Sequence, residues 1–137
     1  MNTLKLTLKK QWFDLIVQGI KTEEYREIKT YWFERLVFQY QKAFKYCTGK
    51  SYRDCLHVES GIRQTLCEGA RTMVAMRPFD LVEFTNGYDS TSPKITLECQ
   101  GITIGQGLTE WGAVEGQEYF IIKLGREVRR KNFRTYK

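Results

Sequence analysis

The sequence predicts an α+β domain with two helices in its first half and a sheet that closes into a small barrel. Three observations lead there. Leu4, Leu6 and Leu8 alternate with Lys5, Thr7 and Lys9, the two-residue period of a half-buried strand. Two later runs, Gln11 to Gln18 and Tyr31 to Lys42, space their apolar residues three and four apart, as helices do. From Phe79 the alternation returns and persists to Leu124, punctuated by glycines. At 137 residues the chain is read as a single domain, 1–137.

Taken in order, the first strand leads into a helix whose Trp12, Leu15 and Ile16 share one stripe, read as core, with Phe13 to its side. Gly19 stands where a left-handed residue would end that helix. Lys21–Glu27 is read as a strand. Thr30 is the expected N-cap of the second helix, whose Trp32, Leu36 and Tyr40 form a further core stripe. Residues 43–78 lack long alternations, carry Gly49 and Gly61 at turn-like places, and are read as an insertion ending at Arg77-Pro78. A helical piece is expected there around Ile62–Glu68. Val82 and Phe84 mark the next strand, and Asn86-Gly87 marks a turn after it. A long strand from Ile95 to Ile104 follows, with a bulge expected at Gly101. Glu110-Trp111-Gly112 falls in a loop or short helix, and Tyr119–Leu124 is apolar enough for a central strand.

Composition narrows the partners. No run of about eighteen apolar residues exists, so no membrane span is expected. Lysines interrupt the N-terminal apolar residues where a secretion signal would be continuous, so a cytoplasmic location is expected. The formal charge of +6 favours polyanions, RNA or a nucleotide above all. Arg129, Arg130, Lys131 and Arg134, with Phe133 and Tyr136 between and after them, make a basic tail that is either a phosphate-contacting arm or a frayed terminus. Cys47, Cys55, Cys67 and Cys99 are irregularly spaced and the only histidine is His57. No pair has the C-x2-C spacing of a zinc site, so reduced thiols, no metal and no cofactor are expected.

The densest chemistry lies in Gly19–Arg26. On a regular strand Thr22, Glu24 and Arg26 share one face, and Glu23, Tyr25 and Glu27 the other. An arginine held by a carboxylate offers fixed donors to a base edge or phosphate. Lys21 is expected to approach from the rim. The competing reading is a surface ion-pair ladder, worth less than about 1 kcal/mol. Trp111 either stacks on a base or plugs the barrel end.

Gly19, Lys21, Glu24 and Arg26 spell G-x-K-x-x-E-x-R, which resembles the signature of the ASCH domain family (activating signal cointegrator-1 homology). The resemblance covers residues 4–42 and 79–125 and leaves 43–77 as an addition. It implies a β-barrel related to PUA domains, with a cleft beside the motif that binds RNA or a nucleoside. The expected ligand-binding set is Lys21, Thr22, Glu24, Arg26 and Trp111, with Arg129, Arg130, Lys131 and Arg134 on a nucleic-acid backbone. Some small bacterial members are similar to amidohydrolases that deacylate N4-acetylcytidine with a lysine, a threonine and a glutamate. Lys21 matches the lysine, and Glu24 stands where those proteins have the threonine. Lys21 and Glu24 are then the candidate catalytic pair, and Glu110, Glu115 or Glu118 the later acid. A third expectation is a regulatory module that docks a protein partner through 43–77.

Overall fold

In the computed structural model, which describes residues 2–67 and 74–133, the N-terminal alternation forms β1 (Thr3–Thr7), with Leu4, Leu6 and Leu8 turned into the core. Helix α1 (Lys10–Val17) follows, then β2 (Glu23–Glu27), α2 (Thr30–Leu36), α3 (Tyr40–Thr48) and α4 (Val58–Thr65). The β-rich half supplies β3 (Leu81–Thr85), β4 (Lys94–Gln106) and β5 (Glu118–Lys131), with a 3-10 turn at Thr109–Trp111. The five strands form one mixed sheet, ordered β1-β3-β4-β5-β2, which curls into a half-barrel. Among the described residues only the β1–β3 pairing is parallel. Strands β1 and β2 are therefore the two edges, and the first polar cluster of the chain lies on one of them.

Side-chain period explains which face each strand buries. Leu6, Phe84 and Ile95 are cross-strand partners and all enter the main core. Phe13 and Ile16 of α1, Phe33 and Leu36 of α2, Phe44 of α3 and Ile62 of α4 complete that core. A second, smaller cluster of Tyr25, Ala113, Tyr119 and Ile121 fills the other face near β2. The bulge expected at Gly101 is present as a series of register shifts in the β4–β5 ladder between Thr96 and Gly101.

Five expectations change. The second helix is two helices, because Val37 is extended, forms a bridge to Met76, and is followed by Gln39 in the left-handed region. Phe38 N–H donates to the Ala75 carbonyl and Arg77 N–H to that of Leu36, so tertiary pairing outcompetes helix continuation. The stripe of α1 is rotated: Phe13 and Ile16 are buried, whereas Trp12 is only partly covered. The basic tail is not a frayed end through Lys131, because Arg129, Arg130 and Lys131 are the last residues of β5 and pair with Thr96, Ile95 and Lys94. Arg134 and Tyr136 lie outside the described residues. The stretch read as an insertion contributes Phe44, Ile62 and Leu66 to the same core as the sheet. Its helix spans Val58–Thr65, starting earlier than the Ile62–Glu68 piece expected from the sequence.

Candidate functional site

The end of α1 positions the site. Gly19, at φ +76°, lets the chain reverse, with its N–H on the Ile16 carbonyl and the Ile20 N–H on that of Leu15. This is the Schellman arrangement, which satisfies carbonyls that a helix end leaves open. The Leu15 carbonyl also accepts from Lys21 N–H at 3.1 Å, so the turn delivers the lysine inward.

Lys21 is consequently not at the rim. It is 1% exposed, and its Nζ donates to Glu24 Oε1 at 2.7 Å and to the Glu23 carbonyl. The other oxygen of Glu24, Oε2, accepts from Arg26 Nη1. Arg26 reaches further: Nη1 donates to the Tyr25 carbonyl at 3.1 Å and Nη2 to the Thr7 carbonyl at 3.2 Å. Thr7 ends β1 and Arg26 belongs to β2, so the guanidinium ties the two edges of the half-barrel together. Glu24 is the centre of a Lys–Glu–Arg row, not one rung of a surface ladder; its side chain is 6% exposed.

Burial lowers the Lys21 ammonium below its ordinary range, with Glu24 acting in the opposite direction. Tyr25 is pushed up to about 12, mainly by burial; its hydroxyl donates to Glu23 Oε1 at 2.9 Å and accepts from Leu108 N–H at 3.0 Å. The second of these hydrogen bonds locks the loop after β4 onto β2, and the first holds the hydroxyl within β2.

Above this row opens a cleft of about 550 Å³, a size typical of small-molecule sites. All three tryptophans of the chain, Trp12, Trp32 and Trp111, line it. Each arrives on a different element: Trp12 on α1, Trp32 on α2, Trp111 on the 3-10 turn. The Arg26 guanidinium lies 5.2 Å from the Trp32 ring centre, and the Lys21 ammonium 6.0 Å from that of Trp12. Gly112, at φ +101°, sits against the Trp12 ring so closely that a Cβ there would be 3.0 Å from it. Lys9, Glu27 and Lys29 stand at the mouth, with Glu27 and Lys29 paired at 3.1 Å.

Of the residues singled out in the sequence, Glu24, Arg26 and Trp111 line this cleft and Lys21 lies beneath it. Thr22 is exposed and lines a separate hollow with Gln100 and Lys123. Glu110, Glu115 and Glu118 are exposed, and none lines the cleft. Arg129 and Lys131 are exposed on β5, whereas Arg130 forks onto Glu127 at 2.6 and 3.0 Å and lies 5.0 Å from the Phe133 ring. Trp12 and Trp32, expected in the core, pack against its edge and also form part of the cleft wall. The available signal was their position, one on each helix flanking the charged motif. Among the described residues no three His, Cys, Asp or Glu side chains converge as a metal site would need.

Chemically, the row is built to hold rather than to transfer protons. Both Glu24 oxygens are committed to cations, and Lys21 is committed to Glu24. The hydroxyls lining the cleft belong to Thr7, Tyr25 and Tyr119, and the two tyrosines are engaged by backbone N–H groups of Leu108 and Val114. No family model matches this chain, and neither does any curated protein or solved structure.

Proposed function

We propose that the cleft binds a nucleobase, presented by RNA or as a nucleoside, in the manner implied by the ASCH-like motif. The observation that carries this reading is the convergence of all three tryptophans over an arginine fixed by a carboxylate. Indole faces stack on any base, at about 1–3 kcal/mol per stacked base. A guanidinium has five N–H donors, and three of those on Arg26 are committed to protein acceptors. The remainder suit a base edge or a phosphate oxygen. Lys9 at the mouth, where Glu27 and Lys29 offset each other, adds to an environment that favours an anionic or polar planar ligand over a cation.

Calorimetric titration of the protein with a panel of nucleosides, modified nucleosides and short RNAs tests the reading. Trp32→Leu and Trp111→Leu are each expected to weaken binding about 5- to 150-fold, the equivalent of one lost stacking contact. A folded wild-type protein that binds no member of the panel would reject it.

Amide hydrolysis of an acylated base such as N4-acetylcytidine draws support from one feature, the lowered Lys21. A buried lysine is one route to a base. The clamped Glu24 and the remote Thr22 make it the lesser reading. Conversion of N4-acetylcytidine to cytidine by the purified protein, abolished in Lys21→Met, would reverse that order.

A further inference from the structure

The register of the sheet gathers cations that are far apart in sequence. Thr7 pairs with Thr85, Thr85 with Lys94, and Lys94 with Lys131, giving one row across four strands. The row on the same face, two residues along, runs Lys5, Glu83, Thr96, Arg129. Between them lies Leu6, Phe84, Ile95, Arg130, which faces the main core. Alternation thus puts Lys5, Lys94, Arg129 and Lys131 on the face that the helices do not cover, opposed there by Glu83 and, one row further, by Glu98, which Arg126 approaches at 3.8 Å. Lys5, Arg129 and Lys131 are exposed, and Lys94 Nζ donates to the neutral Thr85 hydroxyl at 3.0 Å. Arg130, by contrast, points to the core side, where Nη2 meets the Val17 carbonyl at 3.5 Å and its other donors meet Glu127.

Thr7 begins the first row and also lines the tryptophan cleft. Three strand spacings separate it from Lys131, about 14 Å. That is a span that a few nucleotides of an extended strand cover. Tyr88, on the turn joining Thr85 to Lys94, is 94% exposed beside the row.

We propose that this face is a backbone track for single-stranded RNA, whose phosphates meet Lys94, Arg129, Lys131 and Lys5 while one base occupies the cleft. The proposal rests on the base-binding reading of the cleft and makes its ligand an RNA strand rather than a free nucleoside. Cations in register with Thr7 and Thr85, and an exposed tyrosine on the adjoining turn, suit phosphates and a stacked base. A duplex would not present a base to the cleft without being opened.

The test compares the wild type with Lys94→Gln/Arg129→Gln/Lys131→Gln, and with a charge-matched control on α3 and its end, Lys42→Gln/Lys45→Gln/Lys50→Gln. Filter binding of an RNA of about eight nucleotides, within the usual site size for single-strand binders, is measured over a range of salt. Equilibrium dialysis measures a mononucleoside. Each phosphate contact contributes about −0.7 to the slope of log K against log salt for single strands, so the triple variant's slope should be shallower by about 2. Its mononucleoside affinity should be unchanged, and the control's slope should match the wild type. A slope that is unchanged in the triple variant, or reduced equally in the control, overturns the track while leaving the cleft reading intact. Loss of binding to anionic phosphatidylserine vesicles in the triple variant, with RNA binding retained, also overturns it and assigns the face to a lipid surface. Absence of both RNA and nucleoside binding by the wild type removes the cleft reading and the track with it.

Discussion

Glu24 governs the electrostatics of the site because each of its oxygens holds a different cation. Removing the central carboxylate leaves two cations facing each other in a poorly solvated place, so Glu24→Gln should cost about 3–5 kcal/mol by denaturant melting. Lys21→Met leaves Glu24 still paired with Arg26 and fills the space with apolar atoms, so it should cost less. The reverse order would mean that the lysine, not the carboxylate, anchors the row. The same residues set a pH dependence. The folded state disfavours charged Lys21, so it binds fewer protons than the unfolded chain between the lowered value and 10.5. Stability therefore rises with pH across that window. Tyr25 acts oppositely: its contribution is complete below 10 and is lost as pH climbs from 10 to about 12. A crest in alkaline stability is expected near pH 10, with the rising limb absent in Lys21→Met and the falling limb reduced in Tyr25→Phe. The Glu24–Arg26 pairing was legible from strand period alone. The burial of Lys21 was not, since it depends on how the Schellman turn aims the chain toward Trp12 and Tyr25, contacts made only in the folded molecule.

Turns and helix ends separate what is local from what is tertiary at the next scale. A Cβ on Gly19 would meet nothing within 4 Å, so Gly19→Ala should cost only the left-handed backbone penalty, about 1–2 kcal/mol. Gly61 is different. It has ordinary backbone angles, but a Cβ there would collide with the Phe44 ring where α3 and α4 touch. Gly61→Ala should cost about 1–3 kcal/mol through overpacking. If residues 43–67 share the cooperative unit of the sheet, the whole melting transition shifts; a separate early transition would show α3 and α4 melting apart from it. The helix ending at Gly19 could be read from composition, because only a few residues tolerate that conformation. The break at Val37 could not, because no proline or glycine marks it and its cause is a distant partner, Met76.

Across the whole molecule, the half-barrel has two edges and one tie. Arg26 spans Glu24, the Tyr25 carbonyl and the Thr7 carbonyl, a reach that needs the forked guanidinium. Arg26→Lys keeps a cation for Glu24 but loses the link to β1. Amide exchange near Leu8, whose N–H bonds to Thr85, should then quicken, and nucleobase affinity should fall with little change in global stability. Unchanged exchange at Leu8 would show that the tie carries no mechanical role. The α+β class was visible in the switch of period from Trp12 to Ile95. The extent of β5 was hidden, because its last residues are charged and exposed and carry no apolar alternation to betray a strand. The cleft was half visible: the motif named its floor, while Trp12 and Trp32 carried the same helical spacing that core residues do. Large aromatic residues read alike in sequence whether they face a core or line a cavity, and only packing distinguishes the two.

Placing every tryptophan of the chain around one cavity has an optical consequence. Under selective indole excitation, the intrinsic emission of this protein originates entirely from the cleft walls, with no background from a distant core. Two of the three emitters lie near fixed cations, Trp12 by Lys21 and Trp32 by Arg26, so their spectra report the local field as well as polarity. A stacked base would quench them directly, and the alkaline titration of Lys21 would register as a shift in Trp12 alone. The molecule thus carries an unlabelled reporter on its own candidate site, and single Trp→Phe variants resolve it wall by wall.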